Sequence, residues 1–74
     1  MEEKDEQLIR SLLDREPELR RYYEEHADLE RQLATFQQKL HLTPDEEFEK
    51  KRLQKRKLAG KDKIMEILSR YRVH

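Results

Sequence analysis

The sequence of 74 residues contains no cysteine, no tryptophan, one glycine and two prolines. Without cysteine the chain forms neither a disulfide framework nor a thiolate metal site, which is typical of proteins in a reducing compartment. We therefore expect a cytoplasmic protein. With a single glycine, the sequence also has no glycine-rich phosphate-binding loop and no nucleophile elbow.

Long hydrophobic runs are missing as well. A membrane-spanning helix needs about 18 consecutive apolar residues, and the first six residues are largely acidic, unlike the basic start of a signal peptide. Basic residues are not opposed by a stripe of Trp or Phe, so membrane-surface binding is not expected either. His74, at the end of the sequence, is either native or the remnant of a tag.

Catalytic groups are few and scattered. Ser11 and Ser69 are isolated, and the three histidines lack the spacings typical of zinc and di-iron sites. His26 and Glu30 lie one helical turn apart, but a metal site usually needs three or four ligands. We therefore predict no catalytic residue, no metal site, no cofactor and no small-molecule substrate, and we expect that the protein is not an enzyme.

Charged residues are abundant and unevenly distributed. They make up 46% of the sequence against 34% for hydrophobic residues, a composition that suits surface-rich helices. Residues 1–49 contain 15 acidic and 7 basic side chains, whereas residues 50–74 contain 2 acidic and 10 basic ones. The net charge of zero therefore hides two portions of opposite sign that are able to pair within one chain.

Local signals divide the chain into three helices. Thr43, Pro44 and Glu46 form a capping-box pattern with proline at the first helical position, which predicts a helix over about 44–72. Periodic apolar residues predict a helix over about 17–40 and a short helix over about 4–14, separated near Pro17. The turn at 41–43 is so short that the long helices must lie side by side and run antiparallel.

Apolar residues in both long helices alternate steps of three and four, as in a coiled-coil seam. We therefore predict one all-α domain over 1–74, an antiparallel, coiled-coil-like two-helix hairpin with a short additional N-terminal helix. His26 is expected to fix the alignment of the helices through a hydrogen bond. The predicted helix-packing seam consists of Leu19, Tyr22, His26, Leu29, Leu33, Phe36, Leu53, Gly60, Ile64, Ile67 and Tyr71.

Gly60 is the weakest position in this seam pattern, because glycine is unfavourable inside a helix. Either the last helix continues through Gly60, which then makes room for the His26 ring or bends the helix, or it ends there and a new helix begins at Lys61. Apolar residues keep their phase on both sides of Gly60, which favours one continuous helix.

Further apolar residues lie outside the predicted seam. Two helices cannot enclose all of them, and small folds generally need an added stabiliser. We therefore expect a homo-oligomer, with a dimer favoured, or binding to another helical protein; the N-terminal helix either folds over the hairpin or packs against another copy. The candidate self-association residues are Leu8, Ile9, Leu12, Leu13, Leu58, Met65 and Leu68. On the last helix, an outer apolar stripe consists of Phe48, Leu58, Met65 and Leu68.

The segment KKRLQKRKLAGKDK, residues 50–63, contains eight basic residues. In an antiparallel hairpin that turns near residue 42, residues whose numbers add up to about 86 lie opposite each other. This register places Lys61 near Glu25, and Arg56 or Lys57 near Glu30. Acidic residues of one helix and basic residues of the other are therefore expected to set the alignment; they are Glu25, Glu30, Lys57 and Lys61.

A basic face on the last helix supports a different hypothesis. Five outward basic residues are able to contact the phosphate backbone of RNA or DNA. This basic face consists of Lys51, Arg52, Lys55, Arg56 and Lys63. We interpret the chain as a non-enzymatic protein–protein interaction or assembly module of unknown cellular role, and nucleic-acid binding is the alternative.

Two segments of the sequence resemble the YdcH-like family of small bacterial proteins, whose function is unknown. The first, YYEEHADLERQL, is similar at Glu25, His26 and Leu29, and the second, KRKLAGKDKI, at Lys57, Leu58, Lys61, Asp62 and Ile64. Family members typically carry leucine where this chain has Gly60. The resemblance implies a helical hairpin, and it implies no catalytic residue, cofactor or biochemical activity.

Overall fold

The computed structural model describes residues 2–72, and Met1, Val73 and His74 lie outside the described residues. The alternatives for His74, a native residue or the remnant of a tag, therefore also concern a position outside them. Within that range the chain is all-helical, as predicted. The three helices are α1, Glu3–Leu12; α2, Pro17–Gln37; and α3, Pro44–Ser69. The two long helices, α2 and α3, pack against each other, and the molecule measures 46 × 22 × 17 Å.

Helix α3 begins at the predicted capping box. The Thr43 side-chain hydroxyl accepts a hydrogen bond from the backbone N–H of Glu46 at 3.1 Å. In return the Glu46 carboxylate accepts from the backbone N–H of Thr43 at 3.0 Å. Two backbone donors that the helix itself cannot satisfy are thereby paired, and Pro44 occupies the first turn.

Helix α2 ends three residues earlier than predicted, at Gln37 rather than at residue 40, so that the connection covers 38–43 instead of 41–43. Pro44 disfavours a helical conformation at Thr43, which is extended with φ −70° and ψ 162°. Leu40 continues the apolar spacing, but its side chain is 95% exposed. A longer helix would therefore bury nothing more.

The other predicted ends also shift by a few residues. Helix α1 ends at Leu12 rather than at residue 14, and α3 ends at Ser69 rather than at residue 72. Pro17 accounts for the first shift, since it holds Glu16 outside the helical region, at φ −122° and ψ 88°. Tyr71, a predicted seam residue, consequently lies beyond the end of α3.

Buried side chains form two clusters along the helix pair. The larger cluster joins all three helices and contains Ile9, Leu12, Leu19, Ile64, Ile67 and Leu68. The smaller cluster contains Leu29, Leu33 and Leu53, and the half-buried Phe36 packs against it. Every predicted seam leucine and isoleucine is therefore buried, and the level of His26 and Gly60 separates the two clusters.

Helix α3 is continuous through Gly60, and the backbone there does not have a positive φ. A Cβ atom added at Gly60 meets no atom of the described chain within 4 Å. Gly60 is therefore not needed to make room for the His26 ring, contrary to one of the expectations from sequence. The glycine lowers the helix propensity of α3 without a packing contact in return.

Replacing Gly60 with alanine is expected to stabilise the protein. The change raises helix propensity at a position with open space, so the free energy of unfolding should increase by up to about 1 kcal/mol. Thermal unfolding followed by circular dichroism should show a midpoint higher by about 4–8 °C. Ala59→Gly, at the exposed neighbouring position, is the matched control and should have the opposite effect. A lower midpoint for Gly60→Ala would contradict the open environment of Gly60.

Candidate interaction surface

Helix α1 covers one end of the α2–α3 pair. Ile9 and Leu12 are buried in the same cluster as Leu68, so these three residues are not available to contact a second copy of the folded chain. The structure thereby corrects the predicted self-association surface, because the chain uses most of it internally. Leu8, Leu13 and Met65 pack partly against the same cluster, and among the seven candidates only Leu58 is a large hydrophobic side chain that stays mostly exposed.

Polar contacts fasten α1 and the end of α3 to the rest of the chain. The Tyr23 hydroxyl donates to a Glu6 carboxylate oxygen at 3.0 Å, and this hydrogen bond, followed by burial, raises the pKa of Tyr23. Arg72 pairs with Asp5, and the Tyr71 hydroxyl donates to Glu16. Sequence reasoning missed these contacts, and the pairs formed by Glu6 and Asp5 depend on where α1 lies.

The predicted alignment charges are only partly paired as expected. Lys57 Nζ lies 3.5 Å from Glu30 Oε1, as the predicted register requires. Glu25, however, pairs with Arg56 at 2.8 Å rather than with Lys61. The long arginine side chain reaches Glu25 from more than a turn away along α3.

Lys61 lies at the α1 end of the molecule. It lines a shallow groove together with Glu2, Asp5, Met65 and Arg72. The docking of α1 brings these two acidic residues beside Lys61, which sequence spacing within α2 and α3 could not indicate. Lys61 therefore shares a groove with residues near the start of the chain, and Glu25 pairs with Arg56 instead.

Acidic neighbours within the chain occupy most of the basic face. Arg52 forms two hydrogen bonds with the Glu49 carboxylate, at 2.6 and 3.1 Å. Arg56 pairs with Glu25 at 2.8 Å, and Lys63 Nζ lies 3.7 Å from Glu66. These pairs are solvent-exposed, so each contributes only about 0–1 kcal/mol to stability. Within residues 2–72, Lys51 and Lys55 form no ion pair.

Two large apolar side chains of α3 face solvent. Phe48 is 72% exposed and Leu58 is 62% exposed. A shallow groove runs between them and is lined by Phe48, Lys51, Arg52, Gln54, Lys55 and Leu58. A second groove, between α2 and α3, shares Gln54 and Leu58 with the first. The outer side of α3 therefore combines exposed apolar groups with lysines that have no acidic partner in the described chain.

His26 lies between the two buried clusters, with its side chain 11% exposed. Its Nδ1 atom is 3.8 Å from Glu30 Oε1, which exceeds the length of a hydrogen bond. Glu30 lies on the same helix as His26, so this contact does not align α2 with α3, and the alignment through a hydrogen bond of His26 stays a prediction. Burial lowers the pKa of His26, and it outweighs the opposing influence of Glu30 on α2 and Glu6 on α1, while Lys57 on α3 lowers the pKa further.

Stability is expected to fall as the pH drops from about 7 to about 5, because the unfolded chain binds a proton at His26 near pH 6.5. The folded chain, with its lowered His26 pKa, takes up that proton less readily, so acid favours unfolding. Urea denaturation at several pH values should show this slope in the wild type and a smaller slope in His26→Leu. Gln38→Leu, at an exposed position without a titratable group, is the control and should keep the wild-type slope.

Parallel stability profiles for wild type and His26→Leu would contradict this prediction. The two carboxylates with lowered pKa values do not interfere with the measurement in this range. Glu46 and Glu49 have pKa values below the ordinary 4.5, owing first to their hydrogen bonds with Lys39 and Arg52 respectively. Their contribution to stability is lost only when the pH falls below about 4.5, outside the window that reports on His26.

Metal-ligating side chains are not brought together in the part of the chain that the structure describes. No three His, Asp or Glu side chains there are placed to hold a metal ion. None of the described helices combines the length and the apolar character needed to cross a bilayer. Comparison with known protein families, curated proteins and solved structures finds no match.

Proposed function

We propose that the chain is a non-enzymatic interaction or assembly module built on an antiparallel, coiled-coil-like hairpin of α2 and α3. Three pairings support the antiparallel arrangement. Lys39, after the end of α2, pairs with Glu46 at the start of α3. Glu25 pairs with Arg56, and Glu16, before α2, accepts a hydrogen bond from Tyr71, beyond α3. As the residue numbers at the α2 side of these pairs decrease, the numbers of their partners at the α3 side increase, which is the pattern of an antiparallel pair.

Exposure of Phe48 and Leu58 is the observation that carries the proposed function. Leucine and isoleucine side chains of the two clusters are buried, so the fold does not need these two residues for its own core. Exposed apolar groups that share a groove rimmed by charged residues are typical of protein interaction sites. The module therefore presents the outer side of α3 to a helical partner.

Two kinds of partner follow from this surface. One is a second copy of the chain, which gives a homo-oligomer with a dimer as its simplest form. The other is a different helical protein. Membership in the YdcH-like family remains part of the proposal, supported by the two motifs described above.

Sedimentation velocity over a wide concentration range tests the homo-oligomer. Association that grows with concentration, and that the double variant Phe48→Ser/Leu58→Ser abolishes, would support self-association through α3. A wild type that stays monomeric throughout would rule out the second copy as partner. Leu40→Ser is the matched control, because Leu40 is also exposed but lies outside α3.

Spin labels test the antiparallel hairpin itself. Gln32 and Gln54 are exposed, and the proposed register places them at the same level of two helices whose axes lie about 8–10 Å apart when packed. Glu18 lies 14 residues before Gln32, so a label pair at Glu18 and Gln54 should be separated by about 20 Å or more. Labelled chains are diluted with unlabelled chains so that distances within one subunit are measured. A longer distance for the first pair than for the second would overturn the hairpin.

Nucleic-acid binding is the second candidate function. Lys51 and Lys55 favour it, since neither forms an ion pair in the described chain, and Phe48 beside them offers one aromatic ring for stacking. A titration of labelled duplex and single-stranded nucleic acid at low salt tests it. Binding that weakens steeply with salt, and that Lys51→Glu/Lys55→Glu removes, would favour this function.

A further inference from the structure

The exposed side chains on the outer side of α3 have the spacing of a second coiled-coil seam. Phe48, Lys51, Lys55 and Leu58 are separated by three, four and three residues, the alternation that keeps side chains facing one partner helix. We call this set the outer seam. It spans about 15 Å of helix, with an apolar group at each end and two lysines between.

A second copy of the chain is a poor partner for the outer seam. In a two-fold symmetric pairing, the same surface contacts itself. An antiparallel arrangement would bring Lys51 of one copy against Lys55 of the other, and a parallel one would bring like residues together. Like charges placed opposite each other are destabilising.

The acidic portion of a second copy does not offer a matching surface either. Within residues 2–72, the exposed large hydrophobic side chains are Leu40, Phe48, Leu58 and Tyr71. Leu40 lies between α2 and α3, and Tyr71 lies after α3. Among the described residues, the acidic helices α1 and α2 therefore leave no large apolar side chain mostly exposed to fill the outer seam.

We propose that the outer seam binds an acidic amphipathic helix of another protein. The matching seam of that helix carries apolar residues at its two end positions, and these contact Phe48 and Leu58. Its two intermediate positions carry Asp or Glu, and these contact Lys51 and Lys55. This inference rests on the proposed function, because it names the partner of the same surface. The lysine stems add apolar contact area while their charged ends meet the carboxylates.

A helix fits this surface better than a nucleic-acid strand does. The Glu49 carboxylate accepts two hydrogen bonds from Arg52. Asp45 and Glu47 lie in the first turn of α3, close in sequence to Phe48. A continuous phosphate backbone would pass close to these carboxylates and be repelled. A helical partner instead places its negative charges only opposite Lys51 and Lys55, which form no ion pair within residues 2–72.

Designed helical peptides and the full chain test the proposal by fluorescence anisotropy. The first probe carries Leu at both end positions of the seam and Glu at both middle positions. The second probe replaces both Glu with Lys, and the third replaces both Leu with Ser. The acidic probe should bind about tenfold or more tightly than either of the others, because the second reverses both charge pairs and the third removes both apolar side chains.

Charge reversal on the protein provides the sharper test. Lys51→Glu/Lys55→Glu should invert the preference, so that the lysine probe now binds more tightly than the acidic one. Leu58→Ser should weaken binding of the acidic probe by about tenfold or more. Lys63→Glu is the control, since Lys63 is an exposed base of the same helix outside the outer seam, and it should leave the preference unchanged.

Each other outcome counts against a definite part of the proposal. Equal binding of the acidic and lysine probes would overturn the acidic partner and leave an apolar interaction module. No binding of any probe would overturn the inference, and the proposed function would fail with it if the wild type is also monomeric in sedimentation. Binding of labelled duplex that depends on Lys51 and Lys55, without binding of the acidic probe, would replace both with nucleic-acid recognition.

Discussion

Ile64→Ala is expected to lower the free energy of unfolding by about 2–5 kcal/mol, the usual cost of truncating a fully buried aliphatic side chain. Ile64 is 0% exposed and belongs to the cluster that joins all three helices. A small domain has a total stability of only about 5–15 kcal/mol, so this single change should remove a large part of it. Urea denaturation should show a lower midpoint with little change in slope.

Leu58→Ala is the matched control for Ile64→Ala. Both residues lie on α3, but Leu58 is 62% exposed and should change stability by no more than about 0.5 kcal/mol. Equal losses for the two variants would mean that α3 does not face its partner helices as described. The pair therefore tests which side of α3 is inside independently of any binding experiment.

The positions of α2 and α3 and their buried residues could be predicted from the sequence because their causes are local. Leu29 and Leu33 recur at helical spacing on α2, and Leu53 does so with the other apolar seam residues of α3. This spacing alone places each set on one side of its helix. The capping box at Thr43 likewise depends on residues three positions apart. By contrast, the sequence predicts that α2 continues to residue 40, which is three residues too far. The apolar spacing includes Leu40, but it cannot indicate that no other residue covers this side chain.

The position of α1 is a tertiary property, and the sequence left two alternatives open for it. Leu8 and Ile9 indicate an apolar patch, but the same patch is able to pack on its own hairpin or on another copy. Once α1 lies on its own chain, Met65 and Leu68 are covered from within and the outer stripe is reduced to Phe48 and Leu58. The candidate interaction surface therefore depends on a packing choice that no local pattern could reveal.

Ile9→Ala is expected to destabilise the entire chain, by about 2–5 kcal/mol, rather than merely to release α1. Ile9 is 0% exposed and shares one cluster with Leu19 and Ile64, so that loosening α1 also uncovers the apolar faces of both long helices. Gln7→Ala, at an exposed position of the same helix, is the control and should stay within about 0.5 kcal/mol of wild type. Denaturation of Ile9→Ala should remain a single transition shifted to lower urea.

Tyr23 distinguishes a docked α1 from a released one. Its pKa is raised above the ordinary 10.0 chiefly by the hydrogen bond to Glu6 on α1, so release of α1 should return the pKa towards 10.0. In a Tyr22→Phe/Tyr71→Phe background, absorbance titration of tyrosinate reports on Tyr23 alone, and Glu6→Gln supplies the value without the carboxylate. If Ile9→Ala brings the Tyr23 pKa to that value while the midpoint of unfolding stays unchanged, α1 detaches without destabilising α2 and α3 and is not part of their core. If both shift together, α1, α2 and α3 fold as one unit, in which Phe48 and Leu58 are the large apolar side chains that α3 leaves exposed.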